Sequence, residues 1–413
     1  MSQFFRTTFQ SLFISGYRRL WLSDIALNWA EFVEMIVLSW YILQETGSPT
    51  LLGLYGALRF TGTLAAPFFG VFVDRFGRKK TLYFSRISFL VLSSSVLLFA
   101  VIGYLSIIPI LLVSSLVGLS RSLDMIVRQS IIPEIVGVDR ITNGVALSRI
   151  GRDITQITGP IFGGLLLESM GLSFSYVAVV AFYLYSLFLV LSISGIPDHV
   201  TETKLSAWRN LKDGLVYVKR NELVFGLLLV AFVVNLTAFP FNNASLVVLA
   251  KEVINTSASG LGWLMGCYSF GALLGSLLIG ARNSDIETGK ITFVAAIGWH
   301  IGIIVMSKIT WFTPSLPVLA FTGMMQSLSM VTMAMMILKF VTPEMRGRIL
   351  GLRQLSVYGL PLGLLCTGFI SEEYGVAVSL VTSGVVGLVL LAFVAVKWPR
   401  IIKGSQKPLD QVI

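Results

Sequence analysis

The chain has 413 residues, of which 55% are hydrophobic and only 13% charged, too little charge to cover the surface of a soluble fold of that length. The net charge of +10 sits in short gaps between apolar runs, which excludes a continuous basic face for nucleic acid. The two cysteines, Cys267 and Cys366, exclude a disulfide framework, and their apolar surroundings mark both as buried packing residues.

Runs of about 20 apolar residues match the thickness of a bilayer core at 1.5 Å per helical residue. Spanning helices are expected at about 20–44, 50–73, 81–103, 106–130, 141–167 and 172–195, and again at about 222–249, 258–281, 289–309, 313–340, 347–371 and 375–397. The first run is too long for the apolar core of a cleavable signal peptide and lacks a small-residue cleavage site. The expected fold is therefore an all-α membrane protein of twelve transmembrane helices. It divides into a six-helix bundle over 1–196, a linker over 197–221, a second six-helix bundle over 222–398 and a tail over 399–413. The linker carries Lys204, Arg209, Lys212, Lys219 and Arg220, with Leu205, Trp208, Leu211, Leu215 and Val218 at helical spacing. That pattern predicts an amphipathic helix lying on the membrane surface.

Alternate gaps are basic: Arg75, Arg78, Lys79 and Lys80; Arg140; the linker; Arg282 and Lys290; Arg346 and Arg348. The amino end (Arg6, Arg18, Arg19) and the tail (Lys397, Arg400, Lys403, Lys407) fall on the same side, so both termini are expected in the cytoplasm. The halves also repeat. Ser48 to Gly56 resembles Ser257 to Gly266, and Gly118-Leu-Ser-Arg121-Ser-Leu-Asp124-Met resembles Gly323-Met-Met-Gln326-Ser-Leu-Ser329-Met. Pro133-Glu134 answers Pro343-Glu344, and Arg149 answers Arg353. Parallel halves of this kind point to a transporter with its site between them.

The gap after the second helix reads Gly70-Val-Phe-Val-Asp74-Arg75-Phe-Gly77-Arg78-Lys79-Lys80. It resembles the loop signature of the major facilitator superfamily, at the position where that family carries it. The fifth helix holds Gly159-Pro160-Ile-Phe-Gly163-Gly164, which is similar to the core of the family's antiporter motif, although Ala146 and Thr155 replace its upstream glycines. With Asn143, Arg149 and Arg346-Gly-Arg348, the chain is similar to the enterobactin-exporter and macrolide-efflux branch. The second copy of the loop signature, from Gly280 through Asp285 to Lys290, has decayed. The resemblance implies that Asp74 caps the eleventh helix, beginning near Gly347, and that Arg78 reaches Asp124 in the fourth helix. Arg75, Lys79 and Lys80 are expected to do no more than set topology. Gly159, Pro160, Gly163 and Gly164 would let the fifth helix bend and pack closely against a neighbour.

Ionisable groups inside a bilayer each ask for an explanation. Asp24, Glu31 and Glu34 in the first helix fall within a sector of about 80°, with Asn28 on its border, so they face one way. Asp24 lies near the boundary and is expected to be hydrated. Glu31 has no cation at its depth in the same hairpin, and a carboxyl desolvated there can take up and release a proton. Glu34 is expected to pair with Arg59. All three acids are proton-coupling candidates; a carboxylate that attracts a cationic substrate is the alternative. Arg121, Asp124 and Arg128 share a face of the fourth helix, and Arg149, Arg152, Asp153 and Gln156 group in the fifth, where Arg149 and Asp153 pair at i, i+4. The cationic excess suggests a substrate bearing a carboxylate, catecholate or phosphate; interhelical gating pairs are the alternative. From the second half, Asn235, Asn242, Asn243, Gln326, Arg353, Gln354 and His300 form a candidate pocket with Phe239, Phe241, Trp263, Tyr268 and Tyr358. The Met run at 324–336 suits either packing or an adaptable ligand surface.

With His199 in the linker and His300 alone in a helix, no metal or histidine-based catalytic site can be assembled, so neither an enzyme nor a cofactor is expected. No repeated filter loop suggests a channel. The reading is a secondary transporter of the inner membrane that acts as a monomer. It would export small amphipathic molecules of the drug or siderophore class, with protons as the coupling ion. Uptake or uniport of an anionic or amphipathic metabolite is the alternative.

Overall fold

The computed structural model describes residues 8–193, 207–281 and 287–403. Expectations on Arg6, His199, Lys204, Leu205, Arg282, Asp285 and the tail beyond 403 lie outside the described residues. So do the side chains of Asp74, Trp208, Arg209, Leu211, Glu344, Arg346, Gln354 and Lys403, and the surroundings of Gly70.

All described elements are helical, as lipid requires of a chain that must satisfy its own backbone groups. In order they are α1 (Ser15–Thr46), α2 (Pro49–Leu58), α3 (Thr61–Phe76), α4 (Arg78–Val101), α5 (Ile107–Val136) and α6 (Ile141–Leu191). There follow α7 (Ala207–Arg220), α8 (Glu222–Thr237), α9 (Ala258–Gly280), α10 (Thr288–Met306), α11 (Phe312–Phe340), α12 (Pro343–Leu355), α13 (Gly359–Tyr374) and α14 (Val376–Lys397). Ten helical stretches are long and apolar enough to span a membrane. One of them, Val138–Leu191, has 54 residues, about 80 Å of helix, so it is two spans. They meet at Gly171, whose φ of 76° a residue with a Cβ rarely adopts. A further span comes from α2 and α3, which break at Arg59 and Phe60. Among the described residues the total is twelve.

The helices are inside-out relative to a soluble bundle. On α4 the outward stripe is Phe84, Ile87, Val91 and Leu98, each about half exposed, while Ser85, Arg86, Phe89 and Ser93 are buried. An apolar outside with polar groups inside suits lipid and not water. Cys366 follows the same logic and corrects an expectation: it is exposed beside Leu362, Leu365 and Phe369 on the outward face of α13. Trp263 likewise points outward at 49% exposure, away from any pocket. Met333 and Met336 are fully buried, so that part of the Met run is packing.

The chain forms two compact units. The first runs to Ile42 and resumes at Leu58; the second holds α7 to α14 together with Leu43–Ala57. Within the second unit, α2 is fastened to α13. Glu372 Oε2 accepts hydrogen bonds from Ser48 Oγ at 2.6 Å and Thr50 N at 2.9 Å, and a Cβ on Gly368 would lie 2.7 Å from Pro49 O. The linker is helical over Ala207–Arg220, and Arg348 Nη1 lies 3.5 Å from Asp213 Oδ2.

Among the described residues, the two units share a type of helix crossing with no room for a side chain. In the first, Gly62 of α3 abuts Gly118 O of α5, and a Cβ on Gly118 would sit 2.6 Å from Arg59 O. In the second, Gly271 of α9 abuts Ala320 O of α11, and Gly323 abuts Tyr268 O. The repeat seen in sequence aligns Gly118 with Gly323, so the two crossings are equivalent.

The paired glycines of α6 also pack as expected. A Cβ on Gly159 would lie 2.7 Å from Phe32 Cβ, and one on Gly163 would lie 2.7 Å from Ile36 Cγ2 and 3.0 Å from Val33 Cα. Gly163→Leu is expected to part α6 from α1, costing about 1–3 kcal/mol and lowering the thermal midpoint in detergent. An unchanged midpoint would show that the contact is dispensable.

Candidate functional site

The charges of the first unit lie in three layers along α1, which at 32 residues is about 48 Å long. The layer nearest the Arg75–Lys80 loop is a closed ring of two acids and two bases. Arg86 Nη2 contacts Asp24 Oδ1 at 2.7 Å, and Arg86 Nε contacts Asp124 Oδ1 at 3.3 Å. Arg128 Nε contacts Asp124 Oδ2 at 2.7 Å, and Arg128 Nη1 contacts Asp24 Oδ2 at 3.4 Å. The two contacts through Nε lack hydrogen-bond alignment and act as charge contacts. Ser85 Oγ donates to Asp124 Oδ1 at 3.0 Å, and Arg86 Nη1 donates to Ser186 Oγ at 3.1 Å. The ring ties α1, α4, α5 and α6 together with no net charge.

Two expectations are corrected here. Asp24 is not hydrated: its side chain is 6% exposed and touches both arginines. Arg78 does not reach Asp124; it pairs with Glu134. The reason is register. The helices α4 and α5 run antiparallel, so the first residue of α4 meets the last turn of α5, and a residue eight further into α4, Arg86, meets Asp124. The 10 residues from Asp124 to Glu134 are about 15 Å of helix, beyond the reach of Arg78.

The middle layer sits at the midpoint of α1, about 24 Å from its first residue. Glu31 is nearly buried, and its Oε2 lies 3.4 Å from Arg121 Nε. The cation that the first hairpin lacks thus comes from α5. Arg152 of α6 sits among the charges of Arg121, Arg128, Arg149 and Glu31, and among the described residues it makes no ion pair within 4 Å. Arg149 is turned to its own helix, with Nε 3.0 Å from Asp153 Oδ1, as its i, i+4 spacing predicted. Asn28 is buried on the same side of α1.

The third layer surrounds Glu34. Its Oε1 accepts hydrogen bonds from Ser93 Oγ and Tyr176 Oη, each at 3.0 Å, and its Oε2 accepts one from Tyr183 Oη at 3.1 Å. Arg59 adds its opposite charge to the same carboxylate. Arg59 thus acts on Glu34 as expected, and hydroxyls from α4 and α6 hydrogen-bond to the same carboxylate. Phe89 stacks on Tyr183 with ring centroids 5.5 Å apart, which holds that hydroxyl in place.

Among the described residues, most second-unit candidates make contacts of their own, and Phe241 and Tyr268 pack together. Asn235 Nδ2 donates to Ala231 O of its own helix, and Asn242 lies in the wide turn Phe241–Ser245 with its Oδ1 buried and unpaired. Gln326 and Arg353 are half-buried. His300 is fully buried, with Nε2 2.8 Å from Thr237 Oγ1 and Nδ1 2.7 Å from Ala296 O, a satisfied core histidine. Trp299 meets Phe239 edge to face at 4.9 Å, and Tyr268 is fully buried against Phe241. Among the described residues no cluster of metal-ligating side chains occurs.

The hydroxyls around Glu34 carry no signal in the sequence, and that of Arg86 is weak. Arg86 lies six residues beyond the basic loop Arg75–Lys80 and joins the same charge run. Its signal is positional: it is the one guanidinium inside the apolar stretch of α4.

The transmembrane secretion effector family matches residues 6–411, so the chain belongs to that family of the major facilitator superfamily. The enterobactin exporter EntS of Citrobacter koseri is 24% identical over 352 residues, which is 82% of this chain and 81% of EntS. An Escherichia coli EntS is 24% identical over 396 residues, 94% of this chain and 91% of its own. Among solved structures, the nucleoside transporter NupG matches 92% of this chain and 98% of its own at 13% identity, with a TM-score of 0.74. The D-xylose-proton symporter matches 99% of this chain and 100% of its own at 14% identity, with a TM-score of 0.69. A bacterial homologue of the human lysosomal transporter Spinster matches 96% and 99% at 16% identity, with a TM-score of 0.73. These likenesses show the fold, and the protein is a multi-pass membrane transporter.

Proposed function

We propose that this transporter exports a small amphipathic anion, of the siderophore or acidic drug class, across the cytoplasmic membrane in exchange for protons. The observation that carries the reading is the middle layer, where Glu31 lies 3.4 Å from Arg121 and the charge of Arg152 acts on the same group, at the depth expected of a transport site. A guanidinium pair offers a bidentate contact to a carboxylate or a catecholate. The rest of the fold supports the same reading. Outward direction is favoured by the Gly159-Pro160-Ile-Phe-Gly163-Gly164 core and by the two exporter relatives. Basic gaps on one side put both termini in the cytoplasm. Glu34 is the proton carrier of this scheme, because its carboxylate faces hydroxyls and no ring arginine. The proton-symporter and nucleoside-transporter neighbours share the fold alone, so uptake remains the second reading.

The scheme has an electrical consequence. One monoanion leaving and one proton entering move two charges in the sense favoured by an interior-negative potential, worth about 4.6 kcal/mol per 100 mV. In inside-out vesicles with an entrapped pH dye, addition of an aryl carboxylate is expected to drive proton release, faster when the potential is set to aid it. Glu34→Gln is expected to abolish the proton signal and leave only downhill movement of the compound. Compound flux with no proton movement under any condition would rule out exchange and favour uniport.

A further inference from the structure

We propose that Glu31 is a built-in competitor for the substrate: its carboxylate occupies the Arg121–Arg152 corner at rest and is displaced by the anionic group of the transported molecule. The proposal rests on the anion-export reading above and assigns Glu31 a part other than proton carriage.

The charges of the first unit support it. The ring of Asp24, Arg86, Asp124 and Arg128 is neutral, and each acid touches both bases. Arg149 and Asp153 neutralise each other. What remains at the middle layer is Arg121 and Arg152 against Glu31 alone, a surplus of one positive charge. In a bilayer such a surplus is costly unless an anion or water meets it.

The corner is also held loosely where the ring is held tightly. The shortest contacts in the ring are 2.7 Å, whereas the shortest between Glu31 and Arg121 is 3.4 Å, at Nε. A guanidinium held no closer than that can turn its planar fork to take two oxygens of an incoming anion in parallel. The corner is open on one side: the Arg121 side chain is 27% exposed, while that of Arg86 is wholly buried. A Glu side chain has three rotatable bonds, so Glu31 can swing away as an incoming carboxylate or catecholate takes its place. Its own charge lowers the cost of the empty site and sets a threshold that only an anion overcomes. A neutral analogue gains nothing from displacing it.

Equilibrium binding to the full-length protein in detergent tests this, with 2,3-dihydroxybenzoate as the anionic probe and its methyl ester as the probe lacking the carboxylate. Glu31→Gln is expected to tighten binding of the acid by about fivefold, the worth of one partly exposed ion pair, and to leave the ester unchanged. Glu31→Asp, which keeps the charge on a shorter arm, is expected to tighten binding less. Arg121→Gln and Arg152→Gln are expected to remove the preference for the acid. Weaker or unchanged binding of the acid to Glu31→Gln, with wild type preferring acid to ester, overturns the competitor role and spares the anion-export reading. No preference for the acid in wild type overturns both. Thermal midpoints of all four variants, read alongside, separate loss of the site from loss of the fold.

Discussion

Arg86→Met is expected to cost about 3–5 kcal/mol of stability, the penalty for breaking a buried ion-pair network by removing one partner. The side chain is fully buried, so no water compensates its loss. Asp24 and Asp124 would then face each other with Arg128 as their sole guanidinium, and the enclosed site would carry a net negative charge. The expected readout is a fall of many degrees in the thermal midpoint, with loss of monodisperse protein in detergent. Asp24→Asn combined with Arg86→Met restores neutrality and is expected to recover most of the loss, a coupling that separates charge balance from packing. Met approximates the arginine stem in volume, which keeps the cavity small. Wild-type stability in Arg86→Met would mean that the ring holds nothing together.

The ring also shows how much the sequence revealed. Twelve spans were legible because lipid demands long apolar helices, and the run lengths report them. The Gly171 bend and the break at Arg59 blurred only their outlines. Acids on α1 were legible through their shared face, and Arg149–Asp153 through i, i+4 spacing. Partners across helices were not legible, because they depend on register. Arg78 belongs with Glu134 and not with Asp124, which meets Arg128 of its own helix and, across helices, Arg86, hidden in an apolar run. Tyr176 and Tyr183 looked like ordinary aromatics until folding aimed their hydroxyls at Glu34. Asp24 was placed in water because its depth alone was counted, not the bases around it.

The internal repeat has kept its packing and dropped its charges. Gly118 is matched by Gly323, while Arg121 and Asp124 are replaced by Gln326 and Ser329. Selection for a helix crossing and selection for a charged site are therefore separable, and the crossing can be tested by itself. Gly323→Val is expected to destabilise the second unit by about 3 kcal/mol or more, and Gly118→Val the first by a similar amount, beyond the usual range for overpacking. The severity follows from what the new side chain meets. At Gly323 it is Tyr268 O, and at Gly118 it is Arg59 O, both backbone atoms that move only if a helix moves. Gly298 is the matched control. A Cβ there would lie 2.8 Å from Met325 Sδ, the end of a flexible side chain, so Gly298→Ala should cost under about 1 kcal/mol. Limited proteolysis locates the damage, with new cleavage between α9 and α11 expected for Gly323→Val and between α3 and α5 for Gly118→Val. Equal tolerance at all three positions would mean that the two crossings are looser than they stand in this fold, and that the repeat marks ancestry without a packing demand.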